Sequence, residues 1–400
     1  MGLVTAGTVL RPGTGAEVAA ALKQASDAKQ SLVIRGAGTK EGYGRTPSRI
    51  DVILDMQRLN HILAHEHGDM TATIEAGASL RHVNVALALH GQMLPLDPPF
   101  ADRATIGGLL ATNDSGPLRH RYGTPRDLVI GVQLATTDGT LAKAGGQVVK
   151  NVAGYDLSKL ITGSFGSLAA IVSATFKLAP RPAASKTMRF GVRDGEALSA
   201  AVRTMMASQL EPVTFEVRAE SAPDVAQAFR LAVLVRFASL PEVVNAQVEQ
   251  AQAGLKAWTT SMQLLDGDAE RSLWNGHATQ LWDEPGAIVR ASWLPASIGS
   301  ALNALERLAA DASAAMSLVG RAAVGAGHIR IDADTAAQAA IVEQLRASRV
   351  FGNVVIVRGS PELKAIVDVW GSHGTRQPLF DSLKRAFDPR GVLNAGRGPL

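Results

Sequence analysis

The residues with the clearest chemical potential in this sequence are glycines. Arg35-Gly36-Ala37-Gly38-Thr39 follows a short apolar run and sets bare backbone beside a cation and a hydroxyl. A dinucleotide fingerprint would need a third glycine at position 41, where the chain has Glu41. Gly42, Gly44 and Pro47 also stop a helix from starting where it would meet a pyrophosphate. The segment could be an ordinary turn between strands, but a glycine loop also binds diphosphate without a helix, because consecutive N–H groups converge on an anion. A second loop repeats this chemistry, with Ala104-Thr105-Ile106-Gly107-Gly108, Asn113-Asp114-Ser115-Gly116 and Arg121-Tyr122-Gly123. A third follows at Gly163-Ser164-Phe165-Gly166-Ser167. Three such loops favour one long, folded-over ligand over three unrelated turns.

Other reactive patterns are weaker. His61-Ile62-Leu63-Ala64-His65-Glu66-His67 would place two imidazoles on one face of a helix, a spacing that suits a metal. Gly68-Asp69 marks a turn directly after it, so a solvated loop is expected and no metal site is assigned. Gly163-Ser164-Phe165-Gly166 lacks the spacing of a nucleophile elbow. The chain has no cysteine, which excludes disulfides, thiolate metal sites and Cys-held iron–sulfur clusters built from it alone. Any electrons that pass through it require an organic cofactor.

The elements that would carry these loops can be read from periodicity. Thr14 and Glu17 form a capping-box pattern ahead of a helix running to about Lys29. Short strands are expected at 31–34, 51–54 and 71–74. A helix from Ser79 closes at Gly91, residues 93–126 read as an ordered loop, and 128–136 with 140–142 form a hairpin around Thr137-Asp138-Gly139. A strand at 168–178 precedes the break Pro180-Arg181-Pro182. Beyond it, strands near 187–193, 213–218, 231–237, 287–293, 316–324, 327–332 and 353–358 alternate with alanine-rich helices, and a last helix ends near Phe387. The expected fold is α+β with two domains: 1–182, 183–375, and a tail, 376–400, that returns to the first.

With these residues the chain resembles the vanillyl-alcohol-oxidase and p-cresol-methylhydroxylase family of flavoproteins, most closely over about residues 5–180, less in the tail from Phe387-Asp388-Pro389 to Asn394, and least in the middle domain. Within it, the run from Pro95-Leu96-Asp97-Pro98 to Lys150-Asn151-Val152-Ala153-Gly154-Tyr155-Asp156 is most similar to FAD-binding subunits of glycolate oxidases. The resemblance implies a two-part FAD-binding domain plus an α+β cap domain. It also implies that Arg35, Gly36, Ala37, Gly38 and Thr39 clamp the pyrophosphate. Thr105, Ile106, Gly107 and Gly108, with Asn113, Ser115 and Gly116, would hold the ribityl and diphosphate region. Ile171 and Val172 would cover ring edges, and Asn394 would return to the flavin side. Pro98, Arg121, Tyr122, Gly123, Gly154, Tyr155 and Gly166 complete the implied cofactor set. Relatives that bind flavin covalently do so through a histidine in the first loop or a later cysteine. Thr39 and the lack of cysteine imply non-covalent FAD here.

Catalytic relatives carry a His-x-Gly-Asp-Gly-Asn-type stretch in the cap domain. The nearest segment here is Gly325-Ala326-Gly327-His328-Ile329-Arg330, without its Asp or Asn. His328 and Arg330 are thus the catalytic candidates, with Arg290 a second cation for a carboxylate, although a lone histidine beside a strand is more often structural. The implied function is an electron-relaying subunit, partnered by a catalytic flavin subunit and an iron–sulfur subunit in 2-hydroxyacid oxidation. An autonomous 2-hydroxyacid dehydrogenase and a flavin-free structural subunit are the alternatives. The near-balance of 40 Lys+Arg against 36 Asp+Glu, without long runs of one sign, argues against nucleic acid. No segment reads as a signal peptide or membrane span, so a cytoplasmic protein is expected, touching membrane only peripherally or through partners.

Overall fold

Thr14 starts the first helix as the sequence pattern requires: its Oγ1 accepts from Glu17 N at 3.2 Å, while Glu17 Oε2 accepts from Gly13 N at 2.7 Å. The computed structural model describes residues 7–47, 49–146, 156–221, 229–277 and 279–399. Two compact units form. The first comprises residues 1–116, 122–181 and 372–400, and the second 117–121 and 182–371.

In the first unit, helix α1 (Gly15–Asp27) precedes a small parallel sheet of β1 (Thr8–Leu10), β2 (Leu32–Arg35) and β3 (Val52–Asp55), in the order β1-β3-β2. Val18 and Leu22 of α1 pack with Leu32, Val52 and Leu54 in one core. An antiparallel sheet follows, built from β4 (Ile62–Glu66), β5 (Thr71–Glu75), β7 (Val129–Ala135), β8 (Leu141–Gly145) and β9 (Ala170–Lys177) in the order β4-β5-β9-β7-β8. Helices α2 (Leu80–Ala88) and α3 (Ile106–Thr112) bury Leu80, Val83, Leu87, Ile106, Leu109 and Leu110 with the apolar residues of this sheet. A two-residue strand, β6 (Gln92–Met93), pairs with β10 (Ala179–Pro180).

The tail joins the first unit by its backbone. Leu393 forms a parallel bridge to Leu32, with Leu32 N donating to Val392 O at 2.9 Å and Asn394 N to Leu32 O at 2.8 Å. Lys384, in the helix Gln377–Phe387, pins it further: Nζ reaches Ser167 O at 2.8 Å, Asp388 Oδ2 at 2.7 Å and Leu393 O at 3.0 Å. Asp388 in turn accepts from Val392 N and Leu393 N, so a buried carboxylate shapes the turn before Asn394.

The second unit is an antiparallel sheet of eight strands: β11 (Ala184–Val192), β12 (Thr214–Ser221), β13 (Phe229–Ser239), β14 (Ser261–Leu265), β15 (Ala287–Trp293), β16 (Ala315–Arg321), β17 (Ala326–Asp332) and β18 (Phe351–Arg358). Their order is β14-β11-β13-β12-β16-β17-β15-β18. One face, with Met188, Phe190, Phe215, Val217, Val235, Phe237, Leu318 and Ile329, is the core under the helices Gly195–Met206, Pro241–Leu255 and Ile298–Asp311. Because strand side chains alternate, the intervening positions carry Thr187, Glu216, Arg236, Arg321 and His328 to the other face. Glu216 is fully buried there, 3.1 Å from His277 and 3.3 Å from Arg321.

Two local expectations change, and one strand was missed. The solvated loop expected at His61–His67 is strand β4, paired with β5, because half-buried Ile62 and Ala64 satisfy a short edge strand that helix spacing does not reveal. The loop expected over 93–126 contains α3 and the short helices Arg119–Tyr122 and Pro125–Leu128. Two glycines hide α3 from propensity, and its buried apolar residues override that weak bias. Strand β14 was not legible, since it is an edge strand whose side chains are nearly all exposed and show no alternation. Among the described residues, no helix is long and apolar enough to cross a membrane.

Candidate functional site

Strand β2 ends by delivering Arg35 and the loop Gly36-Ala37-Gly38-Thr39 to one side of a cleft in the first unit, and α3 presents Thr105, Gly108 and Thr112 to the same space. Two adjoining clefts share Ile34, Gly36, Thr105, Gly108, Ala111, Phe165 and Asn394. Their empty volumes, open solvent at the mouths included, are about 440 Å³ and 560 Å³. One continues past Gly107, Gly166, Ala169 and Ile171, and the other past Arg35 to Glu41 and Arg397.

The glycines are fitted to this arrangement. A Cβ on Gly36 would lie 2.2 Å from Thr105 Oγ1, so the first loop can approach the second only with hydrogen at that position. Gly38 has φ +73°, a conformation that side chains disfavour. Backbone N–H groups can therefore face a ligand here without obstruction.

Two of the charges beside these loops are buried. The Lys40 side chain is 8% exposed and that of Asp114 3%, with Nζ and Oδ2 3.4 Å apart. Neither atom has a hydrogen-bond partner. An ammonium held dry at a cleft lined by glycine backbone suits an anionic ligand group, because low dielectric strengthens the attraction. Asp55, almost fully buried, receives Arg35 Nη2 at 3.5 Å and Arg11 Nε at 3.4 Å, which anchors Arg35 at the cleft mouth.

Asn394 enters from the tail. Its Nδ2 donates to Phe165 O, and this bond fixes the amide orientation, leaving Oδ1 as a buried acceptor without a partner. Arg397 closes over the first loop: Nη2 donates to Lys40 O at 2.7 Å and Glu41 O at 2.8 Å, and Nε to Tyr43 O at 3.1 Å. Burial lowers the Arg397 pKa from its ordinary value, with Glu41 acting in the opposite direction. The guanidinium remains charged throughout the accessible pH range.

Of the residues singled out in the sequence, Arg35, Gly36, Ala37, Gly38, Thr39, Thr105, Gly107, Gly108, Gly166, Ile171 and Asn394 line the two clefts. Ile106 instead turns from α3 into the core, and Pro98, Ser115 and Gly116 are buried without lining either cleft. Asn113 caps α3 in the left-handed conformation, its Oδ1 accepting from Arg126 N at 3.2 Å. Tyr122 and Gly123 lie outside both linings. Val172 takes the face of β9 opposite Ile171 and joins the core with Val18 and Leu22. Gly154 and Tyr155 lie outside the described residues.

Arg121 belongs to the second unit, where it pairs with Glu211 at 3.0 Å. Next to it, burial lowers the pKa of His120, which lies edge-on to Phe215, while Glu216 acts to raise it. The candidates His328 and Arg330 share one face of β17, and Arg290 lies across from His328 on β15. His328 is buried, with Trp282 edge-on at 5.8 Å. Arg330 Nη1 donates to Pro285 O at 3.0 Å and to Asp332 Oδ2 at 3.3 Å, while its Nε has no hydrogen-bond partner.

Lys40, Phe165 and Arg397 were not singled out for a role by sequence reasoning. Lys40 adjoins the glycine loop and could have been marked as a cation near a proposed diphosphate. Arg397 carries no local signal, since only the returning tail brings it to Lys40.

Residues 6–145 match the model of an FAD binding domain. Glycolate oxidase subunit GlcD of Bacillus subtilis (strain 168) is 27% identical over 416 residues, spanning 97% of this chain and 88% of that protein. Glycolate oxidase subunit GlcE of Escherichia coli (strain K12) is 37% identical over 179 residues, spanning 44% of this chain and 51% of that protein. Among solved structures, a 4-ethylphenol oxidase from Gulosibacter chungangensis superposes with a TM-score of 0.74 at 14% identity, covering 97% of this chain and 88% of that one. At that identity the likeness concerns the fold.

Proposed function

We propose that this chain, whose residues 6–145 match an FAD binding domain, is the FAD-binding subunit of a glycolate-type 2-hydroxyacid oxidase. FAD is held non-covalently and works with a catalytic flavin subunit and an iron–sulfur subunit. The observation that carries this reading is the pair of adjoining clefts, in which two glycine loops, the buried Lys40 ammonium paired with Asp114, and a buried amide oxygen without a hydrogen-bond partner converge. These groups suit the parts of FAD: backbone N–H groups and Lys40 the diphosphate, and Asn394 Oδ1 an N–H of the ring system. When bound, FAD supplies a two-electron acceptor that can pass electrons on.

The chain's own residues bind and orient. Gly36, Gly38 and Gly108 keep side chains out of the anion's space, Arg397 holds the loop in place, and Phe165 with Ile171 excludes water from the apolar end. Thr39 offers no nitrogen for a covalent flavin link, and the chain has no cysteine. Any attachment to a membrane runs through the partners.

An autonomous 2-hydroxyacid dehydrogenase is the second reading. It is favoured by the alignment with GlcD along 97% of this chain and by the shared sheet face of His328, Arg290 and Arg330. Against it, Arg330 already spends donors on Pro285 and Asp332. The deciding experiment mixes FAD-loaded single subunit anaerobically with glycolate and with D-lactate. The relay reading expects FAD to be released on acid or heat denaturation and its absorbance to persist on mixing. Rapid bleaching that is lost in His328→Ala establishes the dehydrogenase instead. Failure to bind FAD leaves only a structural subunit.

A further inference from the structure

His65, His67 and His90 stand together on the first unit, away from the clefts, with one ring nitrogen of each within 4.8 Å of the others. They arrive from different elements. His65 lies in β4, His67 two residues on in the following turn, and His90 in the turn after α2, closed by Gly91 at φ +66°. Positions two apart on a strand face the same way, and the return of α2 toward β6 brings the third ring to them. The ring centroids of His67 and His90 are 4.3 Å apart, and those of His65 and His90 5.1 Å.

Gln92 organises the group from below. It is buried in β6, and its Nε2 donates to His67 O at 2.8 Å, which fixes the amide so that Oε1 faces His65 Nε2 at 2.8 Å. An amide oxygen only accepts, so His65 carries its proton on Nε2 and keeps a bare lone pair on Nδ1. His67 Nδ1 lies 3.3 Å from the carbonyl oxygen of His65, which likewise accepts and leaves Nε2 bare. Histidines that bind metal characteristically donate their second nitrogen to a carbonyl or carboxylate in this way.

We propose that His65, His67 and His90 form a binding site for a divalent first-row transition metal, best suited to Zn²⁺, with solvent completing the coordination. Three imidazoles and an open position are a recurrent zinc set, and the ligands are nitrogen throughout, which disfavours Mg²⁺ and Ca²⁺. Tetrahedral Zn–N bonds place ligand nitrogens about 3.4 Å apart. His67 and His90 are exposed, so their rings can turn to close the remaining distance. The site would staple the end of α2 to the β4–β5 hairpin, and it does not depend on the proposed oxidase role.

The test is calorimetric titration of tag-free, FAD-loaded protein with zinc chloride. One ion per chain is expected, and His67→Ala or His90→Ala should each weaken binding at least about tenfold while the FAD content stays that of the wild type. His82→Ala, on the exposed side of α2, should bind as the wild type does. Gln92→Leu, which frees the His65 tautomer, should lower affinity about 10–100-fold. No saturable binding at millimolar zinc, or a His90→Ala variant that binds like the wild type, overturns the proposal.

Discussion

At the scale of single residues, Gly36 carries more of the proposed FAD site than the other loop glycines. Its absent Cβ would meet Thr105 Oγ1 at 2.2 Å, whereas that of Gly108 would stand 3.2 Å from the same atom. Overpacking of this kind costs about 1–3 kcal/mol, and here the strain falls on the two loops that face each other. Gly36→Ala should therefore weaken FAD binding by about tenfold or more, measured as flavin fluorescence quenching when FAD is titrated into apoprotein. Thr105→Ala in the same chain removes the colliding hydroxyl and should recover part of the loss. If Gly36→Ala binds FAD as tightly as the wild type, the loops are ordinary turns.

At the scale of elements, the C-terminal tail is part of the site rather than an appendage. Val392 to Asn394 add a short parallel segment beside β2, and Asn394 and Arg397 reach the cleft from it. Arg397 donates to three carbonyl oxygens between Lys40 and Tyr43, which orders the residues just after the first glycine loop. Hydrogen bonds to charged groups contribute about 1.5–3 kcal/mol each, so Arg397→Ala should raise the dissociation constant for FAD about tenfold. Arg397→Lys, a point charge without the planar fork, should restore only part of it. Equal affinity in all three proteins, read by the same titration, would show that the tail stabilises the fold without shaping the site.

For the whole molecule, the two units have separate hydrophobic cores: one is centred on Phe190, Phe215, Val235 and Leu318, the others lie around Leu54 and Leu110. Calorimetry should therefore resolve two unfolding transitions. Both clefts are lined entirely from the first unit, so FAD should raise only the transition of that unit. Ligand at a hundred times its dissociation constant adds about 2.7 kcal/mol, a rise of roughly 5–10 °C for a unit of this size. A shift confined to the other transition would place the cofactor in the second unit.

Much of this was legible in the linear chain because it depends on local chemistry. Thr14 and Glu17 announced α1, Gly91 the end of α2, and Thr137-Asp138-Gly139 the turn between β7 and β8, since caps and tight turns are set by neighbours a few residues away. The loops at Gly36 and Gly108 were visible for the same reason: glycine is placed where backbone must come close. The tertiary structure decided which of those residues share a space. Ile171 and Val172 are adjacent, yet strand alternation sends only the first to the cleft. Lys40, Asp114 and Arg397 are far apart in sequence, and nothing local marks a salt bridge or clamp formed across such separations. The segment with His65 and His67 reads as a solvated loop in the sequence, whereas β4 and its following turn set these two histidines side by side and the end of α2 brings His90 alongside. Contacts between distant segments depend on how the chain folds back on itself, and short-range pattern does not contain that information.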